Sequence, residues 1–139
     1  MPTFAVANLN DLNLVAQHIV LLTTTHNIFC LYGNLGSGKT TLVQLIGKHL
    51  NVTDSISSPT YPIINEYEQE LKKMYHIDMY RLKNTEEAQQ IGIEEYFYTN
   101  NLCFIEWPDN FENLLPDNVV KIFIRKLDDN NRLIEIIYT

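Results

Sequence analysis

Long apolar runs, basic clusters and cysteine are what this chain of 139 residues has least of. No stretch approaches the roughly 18 consecutive apolar residues that a spanning helix needs, so no membrane partner is expected. The start, Met1-Pro2-Thr3-Phe4-Ala5-Val6, has neither the basic opening nor the cleavable end of a secretory signal. Two cysteines alone give no disulfide framework, and Cys30 and Cys103 each sit in an apolar run, as buried reduced thiols do. A Zn site needs several closely spaced ligands, and the four histidines and two cysteines do not cluster in that way. A cytoplasmic location is the expectation. Ten Lys and Arg stand against seventeen Asp and Glu, a net charge of −7. An acidic exterior repels a phosphate backbone, so no direct nucleic-acid binding is expected of the chain alone. Anything anionic has to be gripped by a local device.

What is present is globular: 45% hydrophobic and 19% charged residues, with only 5 Gly and 5 Pro, exclude a disordered or collagen-like chain. The length suits one core, and no repeat or linker divides residues 1–139, which read as a single domain. A strand at Phe4–Val6 precedes Leu9, Leu12, Val15, Ala16, Ile19 and Val20 at helical spacing, with Asn8 or Asn10 as cap. Ile28–Tyr32 and Leu102–Ile105 are short unbroken apolar runs, the pattern of strands covered on both faces. Leu42, Leu45, Ile46 and Leu50 mark a second helix, and Ser55–Pro62 a loop. Ile63–Tyr67 and Lys73–Asp78 read as strands joined by a polar turn around Gln69-Glu70. Asn84 with Glu87 three residues on reads as a capping box. Val119–Ile124 and Leu133–Tyr138 form a terminal pair about Asp128-Asp129-Asn130-Asn131. Helices alternating with strands early, then paired strands, predict an α/β three-layer sandwich. Its sheet is expected to be mostly parallel, with antiparallel additions and a C-terminal hairpin.

One segment carries specific chemistry. Gly33-Asn34-Leu35-Gly36-Ser37-Gly38-Lys39-Thr40 satisfies G-x-x-x-x-G-K-[ST] in full, and a chance match in a chain this long is roughly half a per cent. It also stands between a predicted strand and a predicted helix, as a phosphate loop must. Gly33, Gly36 and Gly38 let the loop curl so that backbone N–H groups, Ser37 among them, point inward at phosphate oxygens. Lys39 supplies a mobile charge for β- and γ-phosphates, the Thr40 hydroxyl a Mg²⁺ ligand, and Thr41 reaches the α-phosphate.

Such a Mg²⁺ ion normally draws a carboxylate from a neighbouring strand. Two strands end in acids, one at Glu106 and one at Asp78. Spacing does not choose between them, although the stronger apolar run favours Glu106. Arg81 reads as a partner of Asp78, a γ-phosphate contact or a surface ion pair. Trp107 and Tyr80 read as rim packing or base stacking, and His76 as a satisfied strand histidine on the face of Asp78. No N-K-x-D stretch is present to select guanine, and no Arg-rich lid segment of the kind a small-molecule kinase closes over its substrate.

Four blocks, Gly33–Thr41, Ser58-Pro59-Thr60-Tyr61, His76-Ile77-Asp78-Met79-Tyr80-Arg81-Leu82 and Glu106-Trp107-Pro108, resemble the TsaE family in order and spacing. Its members are small bacterial P-loop ATPases of tRNA threonylcarbamoyladenosine modification. The resemblance implies ATP on Gly36 to Thr41, Mg²⁺ held by Thr40 and Glu106, and catalysis by Lys39, Asp78 and Glu106. It further implies a switch-like loop at Ser58–Tyr61, a second at His76–Arg81, and an adenine near Asn8–Asp11. TsaD and TsaB are the implied partners, TsaD transferring the threonylcarbamoyl group to the tRNA adenosine next to the anticodon. Asn34 stands where the family usually has Asp, and the final hairpin carries no motif. A stand-alone phosphotransferase or a non-catalytic nucleotide sensor are the competing expectations.

Overall fold

The computed structural model describes residues 2–52, 56, 63–69 and 72–139. Ser58–Tyr61 and Glu70 lie outside them. Chain order runs β1 (Thr3–Val6), α1 (Leu9–Leu22), β2 (Ile28–Tyr32), α2 (Lys39–His49), β3 (Ile64–Glu68), β4 (Lys73–Asp78), α3 (Thr85–Gln90), α4 (Ile93–Phe97), β5 (Leu102–Glu106), β6 (Val119–Lys126) and β7 (Arg132–Ile137). A 3-10 turn, Glu112–Leu114, precedes β6.

The strands form one seven-stranded sheet in the order β1-β7-β6-β2-β5-β4-β3. Its centre is parallel, since β6, β2, β5 and β4 all run the same way. Antiparallel pairs complete it, β6 with β7 as the C-terminal hairpin, β7 with β1, and β4 with β3. The unbroken apolar runs are explained by helices on both faces. Phe29 and Leu31 of β2 pack with Val15, Ile19, Leu42 and Ile46 of α1 and α2. Ile28, Cys30 and Tyr32 alternate to the other face, against Ala88, Ile93, Phe97 and Phe111. Cys30 and Cys103 are buried free thiols on that second face, and burial pushes both up to about 12.

Of the two asparagines considered as the first cap, Asn8 is the one used, its side chain accepting from the Asp11 N–H at 2.9 Å. The second capping box is a variant. Asn84 accepts from the Glu87 N–H as predicted, while the Glu87 carboxylate reaches one residue further back, to the Lys83 N–H. The helix after it is short: Gly92, at φ +75°, ends α3 and opens α4. Strand ends differ from expectation by a residue or two, chiefly because β6 continues to Lys126 and β7 begins at Arg132, tightening the hairpin turn. Among the described residues, no helix is long and apolar enough to cross a membrane.

Candidate functional site

The parallel strands β2, β5 and β4 deliver their carboxyl ends to one edge of the sheet, where open α/β sheets bind ligands. Register fixes what meets there: Leu31 pairs with Glu106, and Glu106 with Asp78. The loop from Gly33 to Gly38 leaves β2 at this edge and turns into α2. Gly36 and Gly38 hold φ of +78° and +107°, a region that side chains with a Cβ rarely enter. Gly33 is required for another reason. A Cβ there would stand 2.9 Å from the Ile124 carbonyl of β6 and 2.6 Å from Ser37 Oγ.

The loop and the acids enclose a cavity of about 320 Å³ lined by residues 35–41 together with Asp78, Tyr80, Glu106 and Trp107. Within it the Thr40 hydroxyl donates to Glu106, 3.0 Å from Oε2 and 3.3 Å from Oε1. Glu106 is buried, and the wholly buried His76 sits behind it with Nε2 at 2.5 Å from Oε2. Taken as the donor, Nε2 leaves Nδ1 as a buried acceptor without a partner among the described residues. Asp78 lies nearer the opening, one oxygen accepting the Tyr80 N–H at 2.9 Å. Burial raises its carboxyl pKa, and the neighbouring Glu106 charge raises it further.

Lys39 is 5% exposed. Its ammonium donates to the Gly33 carbonyl and lies 3.4 Å from the centre of the Trp107 ring, which Tyr80 flanks at 4.8 Å. Burial lowers the Lys39 pKa, opposed by the carboxylates of Glu106, Asp109 and Asp78. Trp107 and Tyr80 therefore pack on each other at the rim, and Trp107 also covers the loop lysine, a contact its sequence neighbours do not announce.

A second cavity, about 270 Å³, lies on the other side of Ser37, Gly38 and Thr41. Val6, Asn8, Leu9 and Leu12 line one wall; Asn130, Arg132 and Ile134 of the C-terminal hairpin line another. Arg132 Nε donates to the Ser37 carbonyl at 3.0 Å across 95 residues of chain. No motif marks this arginine in the sequence.

The loop suits a phosphate group on three counts. The N–H of Gly38 finds no acceptor among the described residues, Ser37 Oγ is buried without one, and a lysine ammonium faces the same space. A divalent cation would find the Thr40 hydroxyl and the Glu106 carboxylate together. Among the described residues no group of three or more His, Cys, Asp or Glu side chains could hold a metal ion. That donor set matches Mg²⁺, which keeps waters and takes oxygens from a bound phosphate.

Known proteins resemble this chain in sequence and in fold. The family model described as threonylcarbamoyl adenosine biosynthesis protein TsaE matches residues 6–134. The chain is 32% identical over 132 residues to the TsaE protein of Bacillus subtilis, covering 95% of this chain and 81% of that one. It is 37% identical over 121 residues to TsaE of Haemophilus influenzae, covering 86% and 76%. The crystal structure of YdiB from Bacillus subtilis superposes with a TM-score of 0.73 at 27% identity, covering 96% of this chain and 82% of that one. The chain is a member of the TsaE family of tRNA threonylcarbamoyladenosine biosynthesis proteins.

Proposed function

We propose that residues 1–139 act as one ATPase domain, binding ATP with Mg²⁺ and supporting threonylcarbamoyl transfer to the tRNA adenosine next to the anticodon through TsaD and TsaB. The observation that carries this reading is the meeting of three elements at one sheet edge. The glycine loop, the Thr40–Glu106 pair and Asp78 line a single cavity. The amides of residues 36–41 and the Lys39 ammonium grip the phosphates, and the nucleoside extends into the second cavity beside Asn8. Thr40 and Glu106 are the residues that would hold Mg²⁺, which when bound neutralises charge developing on the phosphate oxygens. Asp78, close to the opening, orients the attacking water. His76 keeps the Glu106 carboxylate turned toward Thr40.

Among the described residues, no arginine lines the cavity beside Lys39 and Glu106. An arginine contact to the phosphates typically adds several powers of ten in rate, so hydrolysis by the chain alone is expected to be slow and to rise when TsaD and TsaB are added. Titration calorimetry with Mg·ADP, on wild type and Lys39→Ala, followed by phosphate release with and without the partners, tests the proposal. Binding by wild type and none by the variant is expected. A heat of binding that Lys39→Ala leaves unchanged would remove the loop from the site. Phosphate appearing on a small metabolite without the partners would make the chain a phosphotransferase instead.

A further inference from the structure

The guanidinium of Arg132 is divided between two sets of carbonyls. Its Nη1 lies 3.1 Å from the Asp128 oxygen and 3.3 Å from that of Asn131, within its own hairpin turn. Its Nε is committed elsewhere, to the Ser37 carbonyl at 3.0 Å. A peptide group is planar, so the carbonyl of one residue and the N–H of the next point in opposite directions. With the Ser37 carbonyl drawn to Arg132, the Gly38 N–H faces away from the hairpin. That N–H has no acceptor among the described residues, and Gly38 holds its φ of +107°. A second contact seats the loop on the same hairpin, where Gly33 lies so close to the Ile124 carbonyl that a Cβ would not fit.

We infer that Arg132 is a positioning residue of the phosphate loop: it holds the Ser37–Gly38 peptide so that the Gly38 N–H meets the β-phosphate of a bound nucleotide. The arginine need touch no phosphate to do this. A cation on the carbonyl also polarises the peptide and strengthens its N–H as a donor. The inference rests on the nucleotide reading above. It gives the C-terminal hairpin a role in phosphate binding that turn capping by Nη1 alone would not.

The test uses the full chain as wild type, Arg132→Ala and Arg132→Met, the second keeping the packing of the aliphatic stem. Two readouts separate positioning from folding or from contact with the base. In the nucleotide-free chain, the Gly38 amide nitrogen resonance is expected to move in both variants, because the preceding carbonyl has lost a charged donor. In calorimetry, the factor by which ADP binds more tightly than AMP is expected to fall roughly tenfold, with AMP affinity nearly unchanged. Equal losses for ADP and AMP would place Arg132 at the nucleoside and overturn the inference. So would an unmoved Gly38 resonance, or loss of the folded state in both variants. Wild-type protein that binds neither nucleotide would defeat the ATPase reading itself, whatever the variants do.

Discussion

His76 and Glu106 meet in the interior through a single contact, Nε2 to Oε2 at 2.5 Å, and Glu106 spends its remaining reach on the Thr40 hydroxyl. The carboxylate is almost wholly out of water, so each donor offsets part of a large desolvation cost. Removing the imidazole leaves the carboxylate short of a donor and opens a cavity. His76→Ala is therefore expected to lower unfolding free energy by about 2 kcal/mol or more. It should also raise the Mg²⁺ concentration needed for half-maximal phosphate release. His76→Gln, which keeps an N–H donor, is expected to recover part of both losses. Denaturant melts and Mg²⁺ titrations check this. A fully stable His76→Ala chain with normal Mg²⁺ dependence would show that Glu106 is held by other means.

Asp78 sits opposite Glu106 in the sheet register, and burial raises its pKa above the ordinary 3.8. The folded chain thus keeps this proton to higher pH than the unfolded one. Between 3.8 and the raised value the native state binds more protons, so stability falls as pH rises through that window. Asp78→Asn removes the cost and keeps an oxygen for the Tyr80 N–H. The variant is expected to melt at or slightly above the wild-type temperature near neutral pH, while hydrolysing ATP far more slowly at near-normal ADP affinity. Thermal melts across the acid range and single-turnover assays read both. A variant that loses binding more than turnover would instead give Asp78 the metal-holding role.

How much of this was legible in the sequence depends on the range of the signal. Ile28–Tyr32 and Leu102–Ile105 declare themselves as covered strands because both faces need apolar residues, and the phosphate loop is a local motif between such a strand and a helix. Asn8 and Asn84 cap helices through contacts three residues long. Glu106 and Asp78 could not be ranked from spacing, because only the β4–β5 register sets them opposite each other and only the packing of α2 brings Thr40 to Glu106. His76 looks like any strand histidine until that register is known. Arg132 was invisible for the same reason at greater distance. Its partner Ser37 is 95 residues away, and the hairpin that carries it holds no motif.

Gly33 offers a test of how the loop is seated on the sheet. A methyl group there would press on the Ile124 carbonyl, which is backbone held in the centre of the sheet, and on the buried Ser37 hydroxyl. Neither can move far without disturbing β6 or the loop. Gly33→Ala is expected to cost about 1–3 kcal/mol in unfolding free energy and to weaken ADP binding as well. Denaturation midpoints at unchanged slope, with calorimetry on the folded fraction, check both. Wild-type stability and affinity in this variant would mean the loop can shift off the hairpin freely.

Trp107, the chain's only tryptophan, lies with its ring 3.4 Å from the Lys39 ammonium. A phosphate drawing on that ammonium competes with the ring for the same charge, an exchange in which the cation–π contact counts for about 0.5–2 kcal/mol. Its backbone φ of +58°, unusual for a bulky residue, shows that the surroundings hold this stretch of backbone against local preference. Nucleotide binding is therefore expected to change tryptophan emission in proportion to loop occupancy. AMP, which lacks a β-phosphate, should change it far less than ADP at equal saturation. In Lys39→Ala the starting emission should already differ, because the cation is gone, and ADP should not alter it. A fluorescence titration on the two proteins decides the matter. An ADP response that survives loss of the lysine would tie the indole to the base or to a moving segment, and not to the ammonium it covers.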